Sequence, residues 1–347
     1  DILGLRALET INGALVNAGH KPDTWDWMPW DDKRACGLLS SGMTDGIFQF
    51  EGYATRIGGK EMKVRKTMDA IIALALYRPA LMNGGQKDMY LANRGEKKAN
   101  RPYKLHPFFD PRLDVTAGVA VFQEQVMEMC ADLEMPFAVW NDLLTAVKAS
   151  NDKIDQYGQG IMKRTRPIFL DLCAAKGIDK KSALEAWETI LGFTDYGFNR
   201  AHATSYGLMS YRSAYLKVYY PLEYMQSLLA TWAGTKKEVM YMREARRMGI
   251  AIGKADVNAS GVVWAIDTSK KSPTLRKGLT TIPGIGSTVA QSIVDHRPEG
   301  GWDSMDDFVA AVPARPVSGG KEWLKTGFLN GVMATLRDQG ALASLGI

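Results

Sequence analysis

A chain of 347 residues, 46% apolar and 23% charged, has the composition of an ordinary globular protein of two or three domains, which excludes disordered and collagen-like classes. Lys and Arg outnumber Asp and Glu by 43 to 38, a net charge of only +5. The best apolar stretch, Ala70–Leu76, stops at Arg78, far short of the ~18 residues of a membrane span, and the opening residues lack the basic-then-apolar order of a secretory signal.

In chain order, apolar residues at three- and four-residue spacing predict a first helix over Leu3–Val16, stopped by Gly19. The same pattern predicts helices over Met68–Tyr77, Val119–Leu133, Phe137–Ala149 and Ser182–Leu191. The last has two candidate caps, a Ser182–Glu185 capping box and Asp179 just before it. A longer helix is predicted from Asn199, whose side chain suits an N-cap, to Tyr219 before Pro221. Lys236–Met248 reads as another, closed by Gly249. Strand signals are few: Gly46–Phe50, Ala251–Ile252 and Val262–Ile266 are the candidates. After Ala233–Gly234 charged helix gives way to short strands and glycine turns, which sets a domain boundary near 234–255. The expected fold is mainly α, a multi-helix domain followed by a smaller α(+β) domain.

Three motifs carry candidate chemistry. Between Arg56 and Lys104 stand twelve basic residues against four acidic ones, among them Lys63, Arg65, Lys66 and Arg78. Such a stretch is either a polyanion-binding face, where Lys and Arg release phosphate counterions, or a solvated basic surface. A weaker basic group is Lys163, Arg164 and Arg166. The run Leu279–Val294 fits a helix-hairpin-helix: an apolar residue, the turn Gly284-Ile285-Gly286, then a helix from Ser287 with Ala290 and Ile293 packing back. Both glycines can take positive φ, and their bareness lets backbone N–H groups reach a phosphate without reading bases. The plainer alternative is a tight turn between core helices. Around Phe193–Tyr206, Arg200 would lie in the first turn of a helix capped by Asn199, with His202 and Tyr206 four apart on one face. Cation, donor and ring together suit a nucleotide; spacing alone favours a hydrogen-bonded histidine and a packed tyrosine. Asp31-Asp32 and Asp306-Asp307 read as helix starts or surface. His20, His106 and His296 have no ligand-spaced partner, and Cys36, Cys130 and Cys173 lie far apart with no CxxC, which rules out a disulfide framework and suggests a reducing compartment.

Taken together these segments resemble the alpha subunit of bacterial DNA polymerase III, the C family of replicative polymerases. Asp1-Ile-Leu-Gly-Leu5 is similar to the family's DxLGL, Gly46-Ile-Phe-Gln-Phe-Glu51 to GIFQFES, and Ala75-Leu-Tyr-Arg-Pro79 to ALYRPGP. Phe122-Gln-Glu-Gln-Val-Met127 resembles YQEQVM, Tyr196-Gly-Phe-Asn-Arg-Ala-His-Ala203 resembles YGFNKSHA, and Tyr215-Leu-Lys-Val-Tyr-Tyr-Pro221 resembles AYLKAHYP. Asp256-Val-Asn-Ala-Ser260, the hairpin and Gly340-Ala-Leu342 follow in the family's order. The resemblance implies the end of a palm (1–18), a fingers domain (19–234) and the start of a tandem helix-hairpin-helix domain (235–347), from a chain that opens on Asp1 and reads as a piece of something longer.

What the resemblance implies for function is template-directed DNA polymerisation, nucleotidyl transfer from dNTP to a primer 3′-hydroxyl with two Mg2+ ions held by three palm carboxylates. Asp1 falls on the third of these, as a catalytic and metal-binding residue; the other two would lie upstream, so the 347 residues alone are expected not to polymerise. Arg78, Arg200 and His202 would neutralise the triphosphate, Asn199 cap the helix presenting them, and Tyr206 lie against base or sugar. Lys63, Arg65, Lys66 and the hairpin residues Gly284, Ile285, Gly286 and Ser287 would bind DNA. The implied partners are primer-template DNA and dNTP, with room for a separately encoded palm-containing half and a sliding clamp. No membrane partner is implied; the implied location is the bacterial cytoplasm or nucleoid. Departures point to a divergent branch, bacterial or phage-encoded: RRAMGKK is replaced by Thr145–Asn151, where Lys148 or Lys153 would have to substitute, and Ala80-Leu-Met stands for Gly-Pro. The alternative is a non-catalytic DNA-binding protein derived from such a polymerase. A hairpin-containing DNA glycosylase fits poorly, since Thr288 stands where the lyase-type enzymes carry lysine.

Overall fold

The computed structural model describes residues 5–78, 82, 85–148, 156–191, 198–269, 271–312 and 325–346, with backbone alone at 144–148, 156–159 and 325–330. The chain forms two compact units, one of Pro29–Ala214 and one of Asp1–Met28 with Tyr215–Ile347. It is mainly helical, as expected, with one small sheet. Helix α1 (Arg6–Asn17) belongs to the split unit. The central unit holds α2 (Lys33–Ser41), α3 (Tyr53–Met62), α4 (Thr67–Leu76), α5 (Gln86–Asn93), α6 (Gln123–Asp132), α7 (Phe137–Lys148), α8 (Gln156–Ala175) and α9 (Lys180–Leu191). Helix α10 (Arg200–Tyr219) runs out of it, followed by α11 (Pro221–Thr231) and α12 (Lys236–Arg247). Strands β1 (Ile252–Gly253), β2 (Ala265–Asp267) and β3 (Thr274–Arg276) precede α13 (Ser287–Asp295), α14 (Met305–Ala311) and α15 (Lys325–Asp338). Among the described residues no helix is long and apolar enough to cross a membrane.

In the central unit, short polar side chains fix where helices begin. Asp32 Oδ1 accepts the N–H of Arg34 at 3.0 Å and of Ala35 at 2.8 Å, capping α2, while Asp31 Oδ1 accepts the N–H of Thr67 at 2.6 Å at the start of α4. The acidic pair is thus a helix-start device. Asp179, rather than a Ser182–Glu185 box, caps α9: its Oδ1 accepts from the N–H of Lys181 and Ser182, both at 3.0 Å. Glycines set close approaches. A Cβ on Gly59 would lie 2.2 Å from the Leu39 carbonyl, and one on Gly207 2.8 Å from Ile71 Cα, so α3 meets α2, and α10 meets α4, nearly backbone to backbone. A core of Phe109, Val126, Met129, Phe169 and Trp187 joins α6, α8 and α9. Cys36, Cys130 and Cys173 are free and buried, and burial pushes the Cys36 and Cys130 thiols up to about 12.

In the split unit α1 packs on α11, where Ser227 Oγ donates to the Thr10 carbonyl at 2.8 Å. Inside it Lys217 Nζ and Arg247 both pair with the buried Glu244; although burial opposes the charge, these hydrogen bonds hold its carboxyl below the usual carboxylate range. The sheet has the order β1-β3-β2, with β1 and β3 parallel and β2 and β3 antiparallel.

Some expectations are corrected. Gly46–Phe50 is not a strand but a run of turns: Phe50 N–H bonds back to the Ile47 carbonyl, and Thr44 Oγ1 donates to the Phe50 carbonyl at 2.6 Å. Ile47 and Phe50 are both buried three apart, which period-two reading cannot give. The helix expected from Val119 begins at Gln123, because Gln125 Oε1 takes the N–H groups of Val121 and Phe122 at 2.8 and 2.9 Å and leaves Phe122 extended. The Val262–Ile266 strand is confined to Ala265–Asp267, since the Val262 carbonyl accepts from Thr280 instead.

Candidate functional site

The start of α10 is built as its sequence predicts. Asn199 Oδ1 accepts the N–H of His202 at 2.7 Å, closing the first turn. His202 and Tyr206, four apart, stack with ring centroids 4.1 Å apart and planes 29° from parallel. Phe198 meets His202 edge-on at 5.4 Å, and Phe48 lies 5.1 Å from Tyr206. At the other end the Arg78 guanidinium sits 4.0 Å above the Phe198 ring, a cation–π contact. Phe48, Tyr206, His202, Phe198 and Arg78 therefore form one continuous column, ending in a cation.

Each member is held by its own element. Arg78 follows the end of α4, and its Nε donates to the Leu74 carbonyl at 3.3 Å. Phe198 pairs with Phe122 in a parallel bridge, its carbonyl accepting the Gln123 N–H at 3.1 Å. Ser210 Oγ donates to the Phe48 carbonyl at 2.8 Å and so ties the Gly46–Phe50 turns to α10. Arg78 is exposed; partial desolvation lowers its pKa from the ordinary value, and the guanidinium stays charged.

Arg200 is arranged differently. Its guanidinium pairs with Glu128 at 2.7 Å, and its backbone N–H donates to Glu124 Oε2 at 2.8 Å. Glu124 and Glu128 lie one turn apart on α6, so a single helix face grips the start of α10. Sequence reading missed these two carboxylates; their spacing of four within Gln123–Glu128 was the available signal.

The cations of the Arg56–Lys104 stretch divide in two. Arg56 pairs with Asp45 at 2.6 Å, Arg94 with Asp69 at 2.6 Å, Lys98 and Arg101 with Asp114 at 3.3 and 2.9 Å, and Lys87 with Glu61 and Asp88. Asp45 and Asp114 lie outside the stretch, so the local excess counted along the sequence is partly cancelled in space. Lys63, Arg65 and Lys66 are exposed, and among the described residues their side chains form no ion pair. They sit together before α4, where Asp69 Oδ2 accepts the backbone N–H groups of Arg65 and Lys66 at 2.7 and 3.1 Å.

In the split unit, Leu279, Ile282, Ile285, Ala290 and Ile293 are buried together under the hairpin turn. Ile285 thus serves the core with its side chain, while Gly284, Gly286 and Ser287 are exposed. Gly284 has φ +83°, but Gly286 is extended at φ −79°, so only the first glycine needs its conformational freedom. No heavy atom comes within 4 Å of a Cβ placed on either, which leaves the turn open above the unpaired first N–H groups of α13.

With these geometries in view, comparison with known proteins decides the family. Residues 7–138 match the family model described as the bacterial DNA polymerase III alpha subunit finger domain, and residues 249–321 match a helix-hairpin-helix motif model. DNA polymerase III subunit alpha of Thermus aquaticus is 30% identical over 327 residues, which cover 92% of this chain and 26% of the relative. The subunits of Mycobacterium tuberculosis H37Rv and Staphylococcus epidermidis are each 32% identical, over 89% and 91% of this chain and 26% and 29% of theirs. The chain belongs to the bacterial DNA polymerase III alpha subunit family. It spans about a quarter of the length of the relatives it matches.

Several residues singled out by the resemblance or as departures from it lie outside the described residues: Asp1, Tyr196, Gly197, Ala80 and Lys153, with the side chains of Thr145–Lys148. Among the described residues no group of three His, Cys, Asp or Glu side chains is placed to hold a metal ion. They therefore do not by themselves offer the donor set that two Mg2+ ions need.

Proposed function

We propose that this chain supplies the fingers and duplex-binding portion of a template-directed DNA polymerase, with 1–18 ending the palm, 19–234 forming the fingers and 235–347 opening the hairpin domain. The observation that carries the reading is the column from Phe48 to Arg78: stacked rings, a capped helix start and an exposed guanidinium over a ring within one unit. An incoming dNTP would set its triphosphate against Arg78 and His202 and its base or sugar beside Tyr206. In a site from which water is excluded such charges count for far more than in solution. Arg200 joins only by exchanging Glu128 for a phosphate oxygen, so its contribution is conditional on substrate. Lys63, Arg65 and Lys66 would follow the template or duplex backbone, and the hairpin N–H groups a second stretch of it. These roles fit a cytoplasmic protein that meets primer-template DNA.

The test is Arg200→Ala in the polymerase that contains this chain, with the apparent KM for dNTP as readout. The expected result is a raised KM; an unchanged KM and kcat would remove Arg200 from the site. The purified 347 residues alone are expected to give no primer extension, and measurable extension would overturn that. One observation favours the alternative, a non-catalytic DNA-binding protein: Glu128 already neutralises Arg200. Duplex binding with no dNTP-dependent change in any Arg78 or Arg200 variant would decide for it.

A further inference from the structure

Beside the hairpin, in the split unit, lies a pocket of about 250 Å3 whose lining includes Arg246, Lys254, Lys277, Thr281 and Ile282. Three cations line it and no carboxylate does. The basic residues around it are committed elsewhere: Arg247 to Glu244, Arg276 to Asp267 at 2.6 Å, and Arg297 to the carbonyl of Val257 at 2.7 Å. Among the described residues no acidic side chain pairs with Arg246, Lys254 or Lys277.

The strand register sharpens this. Ile252 pairs with Leu275 and Gly253 with Arg276 in the parallel β1–β3 ladder, so Lys254 and Lys277 come next, side by side, just past the paired residues. Neighbouring strand positions in register face the same way, and like charges there repel. Arg246 adds a third positive charge from the last turn of α12, which packs on β1. The fold thus gathers three cations around one concavity while pairing the neighbouring Arg247 and Arg276 with carboxylates, an arrangement whose potential favours an anion. Thr281 and Ile282 line the same pocket and lead directly into Gly284 and the open start of α13.

We propose that the Arg246–Lys254–Lys277 pocket binds a phosphodiester of the same duplex that the hairpin grips, adding a side-chain phosphate contact to the backbone one. The proposal rests on the duplex-binding reading above. Each phosphate neutralised steepens the fall of log K with log salt by ~0.9.

The test measures binding of the 347-residue chain to a fluorescent DNA duplex across a KCl series, for wild type, for Lys254→Gln with Lys277→Gln, and for Lys21→Gln with Lys236→Gln. The last pair removes the same charge from the same unit away from the pocket. The expected result is a salt slope reduced by ~0.9, one phosphate contact, for the pocket pair and unchanged for the control pair. Wild-type binding with equal slopes for the two pairs would overturn the pocket and leave the hairpin reading standing. No duplex binding by wild type at low salt would overturn both. Inorganic phosphate at millimolar concentration is expected to leave the wild-type slope intact; its abolishing the difference between the pairs would assign the pocket to a free anion and overturn the duplex contact.

Discussion

The start of α10 and the hairpin turn are the two helix starts for which we propose an anion contact, yet they are made in opposite ways. The hairpin offers backbone: two glycines with nothing above them and the unpaired N–H groups of α13, with the Ile282 and Ile285 side chains turned into the core. The α10 start offers side chains, and each already has a neighbour: Arg78 on Phe198, His202 on Tyr206, Arg200 on Glu128. A backbone site is ready without rearrangement and suits a uniform phosphate chain. A side-chain site must exchange partners, which lets it distinguish a filled state from an empty one.

The comparison breaks most severely at the glycine that seats α10. Gly207→Val places carbons against the Ile71 backbone and is expected to cost the Pro29–Ala214 unit up to ~3 kcal/mol, read by urea denaturation, while the hairpin keeps its duplex affinity. Equal stability would mean that α10 does not depend on this close approach to α4. At the hairpin the two glycines should part company. Gly284→Ala forces a side chain into φ +83° and is expected to cost ~1 kcal/mol, whereas Gly286→Ala, in extended backbone with open space, should leave the melting temperature unchanged and lower duplex affinity alone. A matching loss of stability in both would contradict the assigned conformations.

A subtler effect is expected at Glu128. Glu128→Gln releases Arg200 from its carboxylate, so the apparent KM for dNTP should fall by a few-fold, the range of a single pair of ~1 kcal/mol or less; a raised KM would make the pair a support for the site rather than a competitor. Smallest is a pH effect in the split unit. Hydrogen bonds from Ser269 and Arg276 hold the Asp267 carboxyl at about 2 against partial desolvation. A depressed carboxyl stabilises the fold fully above its unfolded value of ~3.9, and that contribution is lost as pH falls toward 2. Asp267→Asn should therefore flatten the acid side of the stability profile below pH ~4 and leave neutral stability little changed apart from the lost pair with Arg276.

Much of both helix starts was legible because local chemistry fixed them. Asn199 caps by its own side chain, and the Gly284–Gly286 spacing leaves little choice of turn. The missed helices share the opposite property. Helix α3 contains Gly58 and Gly59, which read as breakers, yet they are there because Tyr77 and Leu39 leave no room for a Cβ. Helix α8 carries Pro167 inside it, and α2 contains Gly37 and two serines, so tertiary packing overrides weak propensity in both. The same limit applied to charge. Counting along Arg56–Lys104 could not see Asp45 or Asp114 arriving from elsewhere, nor Glu124 and Glu128 closing on Arg200 across some seventy residues of chain.

The central claim is that the cation ending the ring column receives the triphosphate. Arg78→Ala in the polymerase containing this chain tests it most directly, by measuring dNTP KM and primer-template Kd side by side. The account predicts a KM raised ~10-fold or more, as expected for losing a hydrogen bond to a charged group, with Kd for DNA unchanged. A weakened Kd with an unaltered KM would contradict it and assign Arg78 to the nucleic acid instead.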